Sequence, residues 1–97
     1  MEKKIVLNVE YVMKPGGAEG FVRELTEAGI VQEIRTHKGC LKYDYYKAMD
    51  SDNLLLIEWW TDQEALDAHQ ACPCMAALRE IKAKYATDTK LEKFILG

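Results

Sequence analysis

His69 stands three residues after Leu66 and four after Ala65, a spacing that gathers all three on one face of a helix. That face is apolar and should look inward. An imidazole there can act as a base near neutral pH, because its ordinary pKa is about 6.5. The alternative is a buried histidine satisfied by a backbone carbonyl. Glu58 and Trp60 alternate with Leu56, so on a strand these three share a face. A covered carboxyl at Glu58 would have a raised pKa unless paired. It could hold His69 or a substrate hydroxyl, or make a structural ion pair. Trp60 offers a flat wall to an aromatic ring, or plain core packing. Leu56 and Leu66 would line the same space. Asn8 and Glu10 share a face of an N-terminal apolar segment. Asn8 could donate to a ketone or phenolate oxygen, or satisfy buried backbone groups. If these groups act chemically and not as packing, together they would supply a base, a dry wall and a donor to a developing oxyanion.

Cys72-Pro73-Cys74 has the spacing C-x-C, not the C-x-x-C of zinc and redox motifs, and no further ligand pair accompanies it in the sequence. Two incidental thiols are expected there, and no metal.

These residues must be positioned by a small set of elements. Ile5 to Met13 reads as a strand with Ile5, Leu7, Val9 and Tyr11 on one face and Val6, Asn8, Glu10 and Val12 on the other. Lys14-Pro15-Gly16-Gly17 breaks it. A helix is predicted over about 18–36, carried by Phe21, Leu25, Ala28 and Val31 or Gln32, with Val22 and Ile34 flanking the stripe. It should end near Lys38-Gly39 with a C-cap glycine. Residues 40–48 and 54–61 read as a hairpin of two strands. Thr61 or Asp62 can cap a helix reaching about Ala71, Pro73 breaks it, and a further helix covers roughly 74–85. Residues 86–89 read as a turn and 90–96 as a last strand.

The order β-α-β-β-α-β over residues 1–97 predicts one α+β domain of ferredoxin-like arrangement, with an antiparallel sheet and both helical layers on one face. The other face would be bare. Ile5, Leu7, Val9, Tyr11, Leu55, Ile57 and Trp59 are expected on it, more apolar surface than a monomer usually exposes. A homodimer through this open sheet face is the simplest remedy.

Composition narrows the function. The chain has 97 residues, 48% hydrophobic and 30% charged, with a formal net charge of -3. Scattered Lys and Arg in an acidic chain argue against nucleic acid as a partner. No run approaches a membrane span, and Asn8 and Glu10 interrupt the N-terminal apolar stretch before it reaches signal-peptide length. A cytoplasmic protein with reduced thiols is expected.

The blocks Gly39-Cys40-Leu41-Lys42-Tyr43-Asp44, Leu56-Ile57-Glu58-Trp59-Trp60 and Glu64-Ala65-Leu66-Asp67-Ala68-His69-Gln70-Ala71-Cys72-Pro73 resemble the antibiotic biosynthesis monooxygenase family, as does a first strand ending in Lys14-Pro15-Gly16. The resemblance covers nearly the whole chain. It implies a dimeric α+β barrel with a cavity in each subunit between sheet and helices, where Tyr43, at a family position, would line the pocket or else fill the core. It implies oxidation of a quinol or other hydroxylated aromatic by O2, with no metal or flavin cofactor. His69 falls at a family position. Cys74 stands where several relatives carry a histidine, a departure from the pattern. Other branches degrade haem or isomerise a phosphorylated sugar. Asn8 and Trp60 are rough counterparts of haem-degrader residues, but the haem-ligating histidine falls near Leu78, and leucine cannot bind iron. An O2-independent isomerase would use the His/Glu pair, although no basic or Gly-rich phosphate cradle is present. A non-catalytic dimeric small-molecule binder is the third class.

Overall fold

The computed structural model describes residues 3–97. In chain order it contains β1 (Lys4–Met13), α1 (Gly17–Glu27), α2 (Ile30–Arg35), β2 (Cys40–Lys47), β3 (Leu54–Trp60), α3 (Gln63–Gln70), α4 (Pro73–Tyr85) and β4 (Ala86–Leu96). The four strands form one antiparallel sheet in the order β2-β3-β1-β4. This is the ferredoxin-like α+β arrangement expected from the sequence.

The predicted long helix is two helices. Phe21 and Leu25 form one buried stripe on α1, and Ile30 and Ile34 another on α2. Leu25 and Ile30 are five residues apart, which at about 100° per residue leaves Ile30 roughly 140° off the Leu25 stripe. A continuous helix cannot bury both. Gly29, at φ +70°, adopts the left-handed conformation that re-aims the chain, and Ala28 is left exposed.

Gly39 is not the C-cap of this unit, since α2 ends at Arg35 with Thr36 as its cap. It is a point of close approach. Its φ is +83°, and a Cβ there would lie 2.4 Å from Ala65 Cβ and 2.6 Å from Thr61 Oγ1. Its carbonyl accepts from Thr61 N–H at 2.9 Å. The connection into β2 thus passes directly beneath the start of α3. Of the two cap candidates, Asp62 does the work, accepting from Ala65 N–H at 2.8 Å. Pro73 does more than break a helix: it occupies the first turn of α4, where a missing N–H costs nothing.

The strand faces of β1 are the reverse of the sequence expectation. Ile5 lies opposite Trp60, Leu7 opposite Glu58 and Val9 opposite Leu56. Odd positions of β1 therefore share the helix-covered face with even positions of β3. Ile5, Leu7, Val9 and Tyr11 are buried core residues, not a bare face. The open face carries Val6, Asn8 and Glu10 with Leu55, Ile57 and Trp59, and Phe94 from β4 lies opposite Val6. A strand's period of two fixes which residues travel together, while pairing decides which set is covered.

β4 is longer than predicted. Residues 86–89 are strand, because β1 pairs with β4 from Lys4↔Leu96 to Met13↔Ala86, with a bulge at Val12/Met13. Backbone partners supplied by β1 override the turn-like composition of Ala86-Thr87-Asp88-Thr89.

Gly39→Ala is expected to destabilise by about 2–4 kcal/mol, combining left-handed strain with overpacking against Ala65. Gly29→Ala, where a Cβ meets nothing within 4 Å, should cost only about 1 kcal/mol. Urea unfolding of both variants checks this, and equal losses would refute the close approach at Gly39.

Candidate functional site

The sheet's covered face and α3 bring three of the predicted residues together. His69, buried on α3, stacks on Trp60 with ring centroids 4.5 Å apart and planes inclined by 29°. Trp60 Nε1 donates to Glu58 Oε1 at 3.0 Å. Glu58 Oε1 lies 3.9 Å from His69 Nε2. Strand alternation delivers Glu58 and Trp60 to the same face, and the helix spacing of Leu66 and His69 presses the imidazole onto them.

A fourth member is His37, in the turn after α2. Its Nδ1 is 3.0 Å from His69 Nδ1, so one ring donates to the other. Sequence reasoning missed it. No periodicity marks His37. The one available signal is that the chain has only two histidines. The contact spans 32 residues and exists only because α2 ends beside α3.

Burial sets the charge states. The His69 and Glu58 side chains are only 1% and 8% exposed. At 3.9 Å they could form an ion pair, but desolvation opposes both charges. Burial first, then neighbouring His37, lowers His69 to about 4. Burial raises Glu58 to about 7, against the opposing effect of the Trp60 N–H. His69 is therefore neutral throughout the physiological range. Glu58 is the group that exchanges a proton near neutrality, which reverses the roles expected from residue type alone.

Tyr43 is buried beside this group, its ring 5.8 Å from that of His69. Its hydroxyl lies 3.4 Å from that of Tyr45, which lies 3.3 Å from that of Tyr11. Desolvation raises all three phenols, so they remain protonated donors. Tyr11 and Tyr45 were not foreseen as site neighbours, because Tyr11 reaches this face only through the register of β1.

Leu56 and Leu66 are packed core residues. Asn8 and Glu10 do not join the site. They lie on the opposite face, where Glu10 Oε2 accepts from Asn53 Nδ2 at 3.2 Å. The cavity that reaches the site, about 330 Å³ in volume, lies between α3 and the turn after α2 and not between sheet and helices as expected, so Tyr43, Leu56 and Leu66 do not line it. His37, Thr61, Ala65, Ala68, His69 and Cys72 are among its lining residues. Glu58 and Trp60 stand behind His69 and do not line it. What the arrangement can do is carry a proton from the cavity along His37 and His69 to a buried carboxyl.

Opposite pH dependences should be hidden in the wild type. The folded-state rise of Glu58 from 4.5 to about 7 stabilises the fold below its unfolded value and is lost as pH rises towards 7, on the order of 3 kcal/mol. The depression of His69 from 6.5 to about 4 stabilises above 6.5 and is lost as pH falls towards 4. The two slopes offset each other between about pH 4.5 and 6.5. Glu58→Gln is expected to leave a stability that rises with pH from about 4 to 6.5, and His69→Gln one that falls from about 4.5 to 7. Urea midpoints measured across this range test both signs.

Comparison with known proteins agrees with the blocks in the sequence. Residues 4–81 match the family model described as antibiotic biosynthesis monooxygenase. A Mycobacterium tuberculosis protein named "Putative monooxygenase Rv0793" is 29% identical over 73 residues, covering 75% of this chain and 70% of that protein. The crystal structure of PA3566 from Pseudomonas aeruginosa superposes with a TM-score of 0.83 at 28% identity, covering 97% of this chain and 94% of the other. A Bacteroides thetaiotaomicron structure gives 0.84 at 25% identity, over 99% of this chain and all of the other. With the family model spanning both β strands that frame Glu58 and the helix that carries His69, the chain belongs to the antibiotic biosynthesis monooxygenase family.

Proposed function

We propose that the protein is a cofactor-independent monooxygenase that oxidises a quinol or other hydroxylated aromatic with O2. The observation that carries this reading is the buried carboxyl of Glu58, raised to about 7 and linked through His69 and His37 to a cavity wide enough for a single ring. Family membership supports monooxygenase chemistry in general.

In this reading the substrate binds in the cavity with a hydroxyl against the outer nitrogen of His37. The phenolic proton enters at His37 Nε2, the Nδ1 proton of His37 passes to His69 Nδ1, and the Nε2 proton of His69 moves to Glu58. Each imidazole takes one proton and gives one, so neither must carry a lasting buried charge. The last transfer requires the 3.9 Å separation between His69 and Glu58 to shorten to hydrogen-bond length, a small side-chain adjustment. Trp60 holds Glu58 by its N–H and His69 by stacking, keeping both in line. The phenolate, now electron-rich, gives one electron to O2, and the two radicals join at a ring carbon. One oxygen atom stays on the ring, which ends as a hydroxyquinone, and the other leaves as water. The substrate supplies all the electrons.

A homodimer through the open sheet face fits the same reading. Trp59 and Phe94 flank Val6 there, next to Ile57 and Leu55, and covering this face with a second copy removes the exposed Phe94 and Leu55 from water. Ile57→Lys with Trp59→Glu should convert a dimer to a monomer in sedimentation, and an unchanged mass would count against this interface.

O2 uptake with a panel of hydroquinones, using metal-stripped protein, tests the activity. Uptake above the buffer rate is expected to fall about 10²–10⁴-fold in Glu58→Gln. It should also fall strongly in His69→Gln. Trp60→Phe keeps the core filled and loses only the N–H. Uptake no faster than buffer across the panel would overturn the oxygenase and leave the relay to O2-independent proton transfer.

A further inference from the structure

The cysteines of the Cys72-Pro73-Cys74 segment have company that the sequence does not reveal. Cys72 caps the start of α4, and Cys74 lies on its first turn, buried. Glu33 on α2 and His37 in the following turn approach the pair from the other side. Cys72 Sγ lies 2.7 Å from Cys74 Sγ and 3.4 Å from Glu33 Oε2, and Cys74 Sγ lies 3.9 Å from His37 Nε2. One donor atom from each of the four residues falls within 4.8 Å of all the others.

The geometry points to a Zn²⁺ site formed by Cys72, Cys74, His37 and Glu33. Two thiolates, an imidazole and a carboxylate are a donor set that zinc takes in tetrahedral geometry, with bonds of about 2.0–2.3 Å. Those bond lengths place ligand atoms about 3.3–3.8 Å apart. The observed separations bracket this range, and the sulfur pair opens by about an ångström on loading, a small rotation of one Cys side chain.

The carboxylate of the cluster is available to a cation. None of the ion pairs among the described residues involves Glu33. A metal on His37 Nε2 fixes the proton on Nδ1, which donates to His69 Nδ1 at 3.0 Å. That leaves the His69 proton on Nε2, facing Glu58.

Four protein ligands fill a tetrahedral ion, so the site is structural or regulatory and does not itself perform the reaction. It ties the end of α2 to the start of α4. Loading also withdraws His37 Nε2 from the relay proposed above, but binding itself does not rest on that reading.

Titration of the reduced, metal-stripped protein with Co²⁺ under anaerobic conditions tests the site. The expected result is one Co²⁺ per chain, with a thiolate-to-cobalt charge-transfer band and tetrahedral d–d bands that Zn²⁺ abolishes. Cys72→Ser and Cys74→Ser should each lose much of the charge-transfer band, and His37→Ala should weaken affinity at least tenfold. Cys40→Ser, outside the cluster, should bind as the wild type does. Zn²⁺ should raise the unfolding temperature, reversibly on chelation. If Cys74→Ser fails to fold, the half-buried Cys72 carries the test. Absence of the charge-transfer band in fully reduced protein would overturn the proposal, as would an affinity indifferent to His37→Ala. A Cys72–Cys74 disulfide in the isolated protein, with no Co²⁺ uptake once reduced, would replace it with a redox pair.

Discussion

The antiparallel register of β1 against β3 is the constraint on which the rest of the molecule depends. With Leu7 opposite Glu58 and Ile5 opposite Trp60, the helix-covered face becomes a block of Ile5, Leu7, Val9, Tyr11, Leu56 and Trp60 with one carboxyl set inside it. Slipping the pairing by one residue would carry Asn8 and Glu10 under the helices and expel four large apolar side chains. The apolar content of the covered face is also what makes Glu58 unusual. Its raised pKa follows from surroundings that offer a single N–H, from Trp60, and little else that is polar.

His69 owes its properties to the same packing. Pressed between Trp60, Tyr43 and His37, its side chain is only 1% exposed to the water that would support a positive charge. The usual division of labour, with histidine as base and carboxylate as its support, is inverted because desolvation acts on both groups in opposite directions. It lifts the acid towards neutrality and pushes the base away from it. A neutral imidazole between two partners is suited to passing protons rather than storing them.

His37 connects the two chemistries on this side of the molecule. One ring nitrogen meets His69, and the other faces the sulfur of Cys74. A ring with both nitrogens engaged has its tautomer set by whichever partner holds its side more firmly. Occupancy at the sulfur side would therefore be felt on the His69 nitrogen that faces Glu58, one hydrogen bond away from His37, without movement of the backbone. Gly29 makes this possible. By interrupting the helix it turns α2 so that Ile30 and Ile34 enter the core while Glu33 and the following turn face the start of α4.

Local pattern was enough for much of this. The apolar periods of two and of three to four residues, the breaker at Lys14-Pro15-Gly16, the hairpin turn and Pro73 yield the element order, and that order restricts the sheet to few arrangements. Alternation put Leu56, Glu58 and Trp60 on one face, and helix spacing put Leu66 and His69 on another. Both statements needed only neighbours a few residues apart. What the sequence could not express was any relation between elements. The face of β1 that is covered, the extension of β4 through 86–89, the approach of His37 to His69, and the gathering of Glu33 and His37 around Cys72 and Cys74 all join residues far apart in the chain. Their partners are chosen by which apolar surfaces can be buried together, and that competition is settled only when the sheet and helices pack. The same holds for charge: residue type named the titratable groups, but burial, which exists only in the folded molecule, decided which of them exchanges a proton near neutral pH.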